Sequence, residues 1–170
     1  IDAAENNNAE LIIFDIETFG GRVDAATQVK DAISSTDIQT IAFINRRAIS
    51  AGSLISLSCN KIYMTSGATI GATSVVDMSG EKQAEKSQSY MREEMAATAE
   101  KSGKNTDIAR GMVDEELSFE FLVINGDSLK VDDIEGRKEG KLITLTTELA
   151  LKYNIADGKS ESVEELLSDL

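Results

Sequence analysis

The 170-residue chain has no histidine and no proline, a single cysteine, few basic residues, and no apolar run near the roughly 18 residues that span a bilayer. Each absence excludes something. Without histidine, Ser-His-Asp and Cys-His catalysis cannot be assembled within one chain, and most zinc sites lose their commonest ligand. Any general base has to be lysine, aspartate, glutamate or tyrosine. Without proline, the loops are left to glycine and asparagine. Cys59 has no disulfide partner and lies in an apolar stretch, where it reads as a small buried hydrophobe. With 17 Lys and Arg against 30 Asp and Glu, the formal charge is −13 and the pI about 4.4, so a phosphate backbone is repelled and nucleic acid is excluded as a partner.

What remains is a chain with 41% apolar residues, enough for one sizeable core, and a single domain is expected over residues 1–170. The chain opens on Ile1, within what reads as a helix. It is therefore expected to be a processed or cut form, soluble as it stands, whose anchor or export signal lies elsewhere.

Along the chain, "ELIIFDIET" (residues 10–18) reads as a buried strand that runs into Gly20-Gly21. "DAATQVKDAISS" then spaces Ala25, Val29, Ala32 and Ile33 helically, with Asp24 available as a cap. "TIAFIN" is a second strand, and "SAGSLISLSC" a second helix entered at Ser50. "KIYMTSGATIGATSVV" supplies short strands broken at Gly67 and Gly71. This alternation predicts an α/β fold of repeated βαβ units, a parallel sheet covered by helices. Residues 77–89 read as a polar loop or exposed helix start. A long helix follows with Met91, Met95 and Ala99 on one face and Gly103 as its C-cap. Beyond it come a short helix in "TDIARGMVDEEL", a hairpin turning at Asn125-Gly126, a strand in "KLITLTT", and two closing helices.

Ser50 admits two readings. A serine at a strand-to-helix turn, flanked by small Ala48, Ala51 and Gly52, can expose its hydroxyl as a nucleophile beside the first N–H groups of the helix. Serine is also a preferred N-cap, and spacing alone favours the cap. Gly20-Gly21, at the carboxyl end of the first strand, fits either a ligand loop or an ordinary tight turn. For a base, Lys86 and Lys82 precede the long helix, but Glu81 and Glu85 beside them raise a lysine pKa and oppose activation. A base at Lys86 requires the loop to fold over the site. Asp132-Asp133 reads as a hairpin end rather than a calcium loop, and neither metal nor cofactor is expected.

Three blocks carry a resemblance: "DIETFGGRVDAA", "INRRAISAGSLISLSCNKIYMTSGATIGA" and "EGKLITLTTELALKYNIADG". In order and over nearly the whole chain, they resemble the amino-terminal protease domain of NfeD-type membrane-bound serine proteases, of the ClpP/crotonase fold superfamily. That resemblance implies a Ser-Lys dyad, with Ser50 in the A-x-S-A-G block and Lys86 ahead of the S-G-[KR]-N stretch, Lys82 being the weaker alternative. It assigns the oxyanion hole to Gly20, Gly21 and Ala51, and places Phe19 where relatives have proline, as an aromatic wall to substrate. It implies cleavage of hydrophobic segments of membrane proteins, a stomatin-like partner, a homodimer or larger homo-oligomer, and an extracytoplasmic, membrane-associated setting. The family's amino-terminal strand and signal, and its carboxy-terminal membrane-spanning and β-barrel domains, are expected outside this chain. Other readings are a signal-peptide-peptidase-like protease, a crotonase-type acyl-CoA enzyme that the −13 charge disfavours, and a non-catalytic crotonase-fold scaffold for a membrane partner.

Overall fold

A computed structural model describes residues 1–77, 79–134 and 140–170. Met78, in the expected 77–89 loop, and Glu139, at the head of the third family block, lie outside them. After a short helix α1 (Asp2–Asn6), the chain forms β1 (Leu11–Thr18), α2 (Val23–Ser35), β2 (Gln39–Ile49), α3 (Ala51–Ser58), β3 (Lys61–Met64) and β4 (Thr69–Gly71). It continues as α4 (Glu85–Lys101), α5 (Thr106–Gly111), β5 (Phe121–Ile124), β6 (Asp127–Lys130), β7 (Thr144–Thr146), α6 (Thr147–Lys152), β8 (Gly158–Lys159) and α7 (Val163–Asp169).

β2 is the axis of the sheet. It pairs in parallel with β1 from Gln39 to Ile44 and again, after a register shift, at Ala48, while its other edge is divided: β3 takes Ile41 to Ile44 and β4 takes Arg47 to Ile49. β8 extends the sheet beyond β3 in parallel; β7 closes it beyond β4 and is antiparallel. The run Ile41, Ala42, Phe43, Ile44 is buried at every position because both faces are covered. Ala42 and Ile44 join the main core with Leu54, Met91 and Met95, whereas Ile41 and Phe43 pack with Leu166 of α7.

The helical spacing holds in α4, where Met91, Met95 and Ala99 are buried and Gly103, at φ +72, follows the helix as its C-cap. The Asn125-Gly126 turn holds as well, both residues having positive φ as a type I′ turn demands. Two details differ. α2 starts a residue before Asp24, which lies in the first turn and forms an ion pair with Arg22 at 2.6 Å instead of capping. Asp133, expected at a hairpin end, instead accepts hydrogen bonds from Lys152 at 2.6 Å and from the Tyr153 hydroxyl.

Candidate active site

β2 continues to Ile49 and α3 begins at Ala51, so Ser50 alone makes the turn between them. Its φ of 57° and ψ of −116° lie where a residue with a side chain seldom rests, at a cost of about 1–3 kcal/mol that the surroundings must offset. They do so with hydrogen bonds. The Ser50 N–H donates to the Gly71 carbonyl at 3.0 Å. The buried Ser53 hydroxyl donates to Ala48 O at 2.7 Å and accepts from Gly71 N–H at 3.0 Å, tying the end of β2, the end of β4 and the first turn of α3 to one atom. Gly71 has φ +143, and a Cβ there would run into the Ile143 carbonyl.

This geometry corrects the capping expectation. Ser50 stands at the N-cap position but its side chain makes no cap hydrogen bond. An N-cap side chain reaches back to the helix from extended φ/ψ, which Ser50 does not have. Its hydroxyl faces the glycine loop: a Cβ built on Gly20 would stand 2.8 Å from Ser50 Cβ and 3.2 Å from Oγ. Only glycine fits there, the more so at φ +128. The Gly20 N–H is occupied, donating to Thr18 Oγ1 at 3.0 Å. The N–H groups of Gly21 and Ala51 have no partner among the described residues.

Ser50, Ala51 and Gly21 line a small cavity of about 50 Å³ whose other walls include Val23, Ala26, Leu54, Val75 and Met91. Through the shared residues Val23, Val75 and Val76 it opens toward a broad groove that carries Lys86, Gln83, Ser87 and Tyr90. Lys86 stands exposed in the first turn of α4. It makes no hydrogen bond to Ser50, so the structure brings the two to adjoining cavities without joining them. Glu85 turns away from Lys86 to pair with Arg92 at 3.0 Å. Lys82 is on another side of the loop, paired with Glu115 at 2.8 Å, and that hydrogen bond holds its ammonium above the usual lysine range. Phe19 lines neither cavity; it is 74% exposed, with the Arg47 guanidinium 4.4 Å from its ring centroid.

Three supporting residues escaped the sequence reading. Thr18 fixes the glycine loop, Ser53 braces the turn, and Gln88, only 2% exposed, clamps the cavity wall. The Gln88 Oε1 accepts from Val75 N–H at 3.0 Å, and its Nε2 donates to Val75 O at 2.6 Å and Gln83 O at 3.2 Å. The available signal was a polar residue on a helix face otherwise set for burial: Ser53 falls among Leu54 and Leu57, and Gln88 lies one turn before Met91.

A curled parallel sheet with helices on both faces and a serine at the central strand-to-helix turn defines the ClpP class of fold. ClpP1 from Listeria monocytogenes shares it with a TM-score of 0.60 at 16% identity, covering 97% of this chain and 85% of that one. Within that class the chain belongs to the NfeD1b family, whose "NfeD1b, N-terminal domain" model matches residues 1–170. It is 32% identical to the membrane protein NfeD1b of Bacillus subtilis (strain 168), over 98% of this chain and 35% of that protein. It is 29% identical to the membrane-bound protease PH1510 of Pyrococcus horikoshii, over 98% of this chain and 34% of that protein. The chain thus spans about a third of the length of these relatives. Among solved structures, the 1510-N membrane-bound stomatin-specific protease, with one lysine changed to alanine and a substrate peptide bound, superposes with a TM-score of 0.77 at 27% identity, covering 98% of this chain and 68% of that one. Both full-length relatives are named as membrane proteins; among the described residues here, no helix is long and apolar enough to cross a membrane.

Proposed function

We propose that residues 1–170 act as one serine endopeptidase domain with Ser50 as nucleophile and Lys86 as general base. The observation that carries this reading is the Ser50 turn: a braced, uncapped hydroxyl beside two N–H groups without a partner among the described residues, at the mouth of a small cavity. It is supported by the relative solved once with a lysine and once with a serine replaced by alanine, the two residue types of the dyad.

In the reaction, Lys86 Nζ takes the Ser50 proton as Oγ attacks the scissile carbonyl carbon. The developing oxyanion accepts from the Gly21 and Ala51 N–H groups, while Gly20 gives the loop its shape. Lys86 then protonates the leaving amine, and the acyl-serine is hydrolysed by water that Lys86 deprotonates. A lysine works as a base only where its surroundings favour the uncharged amine, which a groove dried by bound peptide does. The apolar walls suit hydrophobic segments of membrane-associated proteins, and the relative's name points to a stomatin-like substrate. A homodimer or larger homo-oligomer, membrane-associated and extracytoplasmic through parts outside this chain, completes the proposal, with Phe19 standing at the rim to meet substrate beyond the cavities.

The test is cleavage of an apolar peptide by Ser50→Ala and Lys86→Ala variants whose circular dichroism matches the parent. Each is expected to lose about 10³-fold or more in kcat/KM. Parental activity in Ser50→Ala would sink the assignment.

A further inference from the structure

The cavity at Ser50 is small, and three of its walls belong to the core. Met91 is 3% exposed, Leu54 fully buried and Ala26 4% exposed, Leu54 on α3 against the sheet and the other two on helices packed against α3. The remaining wall is Val23 and the stretch from Thr73 to Val76 on the connection after β4, where a loop could have yielded to a larger guest. It is prevented from yielding by Gln88, whose buried amide holds both the N–H and the carbonyl of Val75 and is itself anchored in α4. A cavity of about 150 Å³ admits benzene; this one is about 50 Å³. That is space for roughly two or three carbon atoms, and dense packing makes enlarging it costly.

We infer that this cavity selects the substrate residue whose carbonyl Ser50 attacks, admitting alanine or valine and rejecting leucine and phenylalanine, with Met91 setting the limit. The inference deepens the protease reading and rests on it for the identity of the guest. The position follows from the geometry: a carbonyl carbon at Ser50 Oγ, with its oxygen toward Gly21 and Ala51, puts the adjoining side chain into the space those residues line. No acidic or basic side chain lines that space, and its polar side chains are the small Ser50, Thr73 and Ser74, so size is the main property it reads. One methylene in such a pocket commonly changes kcat/KM by 10-fold to 200-fold, about what the rule requires.

The experiment uses peptides identical except at that residue, carrying Ala, Val, Leu or Phe. Cleavage by the parent protein and binding to Ser50→Ala, followed by calorimetry, are measured in parallel. Ala and Val peptides are expected to exceed Leu and Phe by at least about tenfold in both readouts. Met91→Ala is expected to reverse the order toward Leu. Ala26→Leu, which fills the cavity from the opposite wall, is expected to depress the Val peptide further and so tests the rule should Met91→Ala fail to fold. Cleavage or binding of Phe as efficient as of Ala overturns the size rule and leaves the protease reading standing. Size-ordered binding without any cleavage supports the pocket and removes the protease reading. Absence of both binding and cleavage overturns the pocket.

Discussion

The two halves of the proposed dyad are held very differently. Around Ser50 the backbone is braced, while the hydroxyl and the Gly21 and Ala51 N–H groups are left open: Gly71 carries the serine N–H, Ser53 joins β2 to β4, and Thr18 sets the glycine loop. Around Lys86 there is open groove, and the segment leading to it is held largely by its own backbone, Glu81 O accepting from Asp77 N–H and Val75 O from Gln83 N–H, with Gln88 and the Asp77 carboxylate adding side-chain bonds. The difference separates two tasks. Oxyanion geometry gains from being fixed before substrate arrives, because donors already in place need no reorganisation during reaction. A lysine base gains from being completed by substrate, since only an occupied groove is dry.

Four changes would break or sharpen this contrast. The largest effect is expected for Gly71→Ala on the rigid side: a Cβ at φ +143 collides with the Ile143 carbonyl, and a loss of about 3 kcal/mol or more should appear as a lower denaturation midpoint, with activity lost as Ser50 relaxes. Gln88→Leu attacks the junction of the two halves. It strips the partner from the buried Val75 N–H, for a cost of about 1–3 kcal/mol, and hydrogen exchange at Val75 should accelerate while the Ser50 turn stays protected. Unchanged exchange would show that the clamp is not needed.

A smaller effect is expected from acid. The Ser79 hydroxyl and the N–H groups of Glu81 and Ser79 hold the Asp77 carboxyl below its usual range. A depressed value means that the contribution is complete above the unfolded-state value of about 4 and fades as pH falls through the lower folded value. Protection of the Glu81 amide, after its exchange is corrected for the intrinsic pH dependence, should therefore fall below about pH 4, and that loss should be absent in Asp77→Ala. Smallest is Lys82→Ala, which removes a solvent-exposed pair with Glu115 worth about 0.5 kcal/mol; cleavage close to parental would separate Lys82 from Lys86 as the base.

The sequence made the fold legible because burial on both faces leaves a continuous apolar run, as at Ile41 to Ile44, and because Met91, Met95 and Ala99 repeat at helical spacing. The two-residue β8 and the antiparallel sense of β7 left no such trace, since strands so short have no period and take direction from their neighbours. At the site, Ser50 and the glycine pair were visible as candidates, but whether Ser50 caps or faces outward depended on its backbone dihedrals. Those are imposed by Gly71 and Ser53, contacts made across the sheet rather than along the chain. Gln88 was hidden for the same reason: its partner Val75, 13 residues earlier, becomes adjacent only in the folded chain.

The divided edge of β2 also governs when the site can exist. β4, whose Gly71 braces Ser50, depends on β7 at its outer edge, and β3 depends in the same way on β8. Both outer strands are drawn from the last part of the sequence, residues 144–159. During synthesis the serine is therefore made early and its setting late. Pairing over such separations is slow to form, so the nascent chain carries an unbraced Ser50 until the outer strands dock.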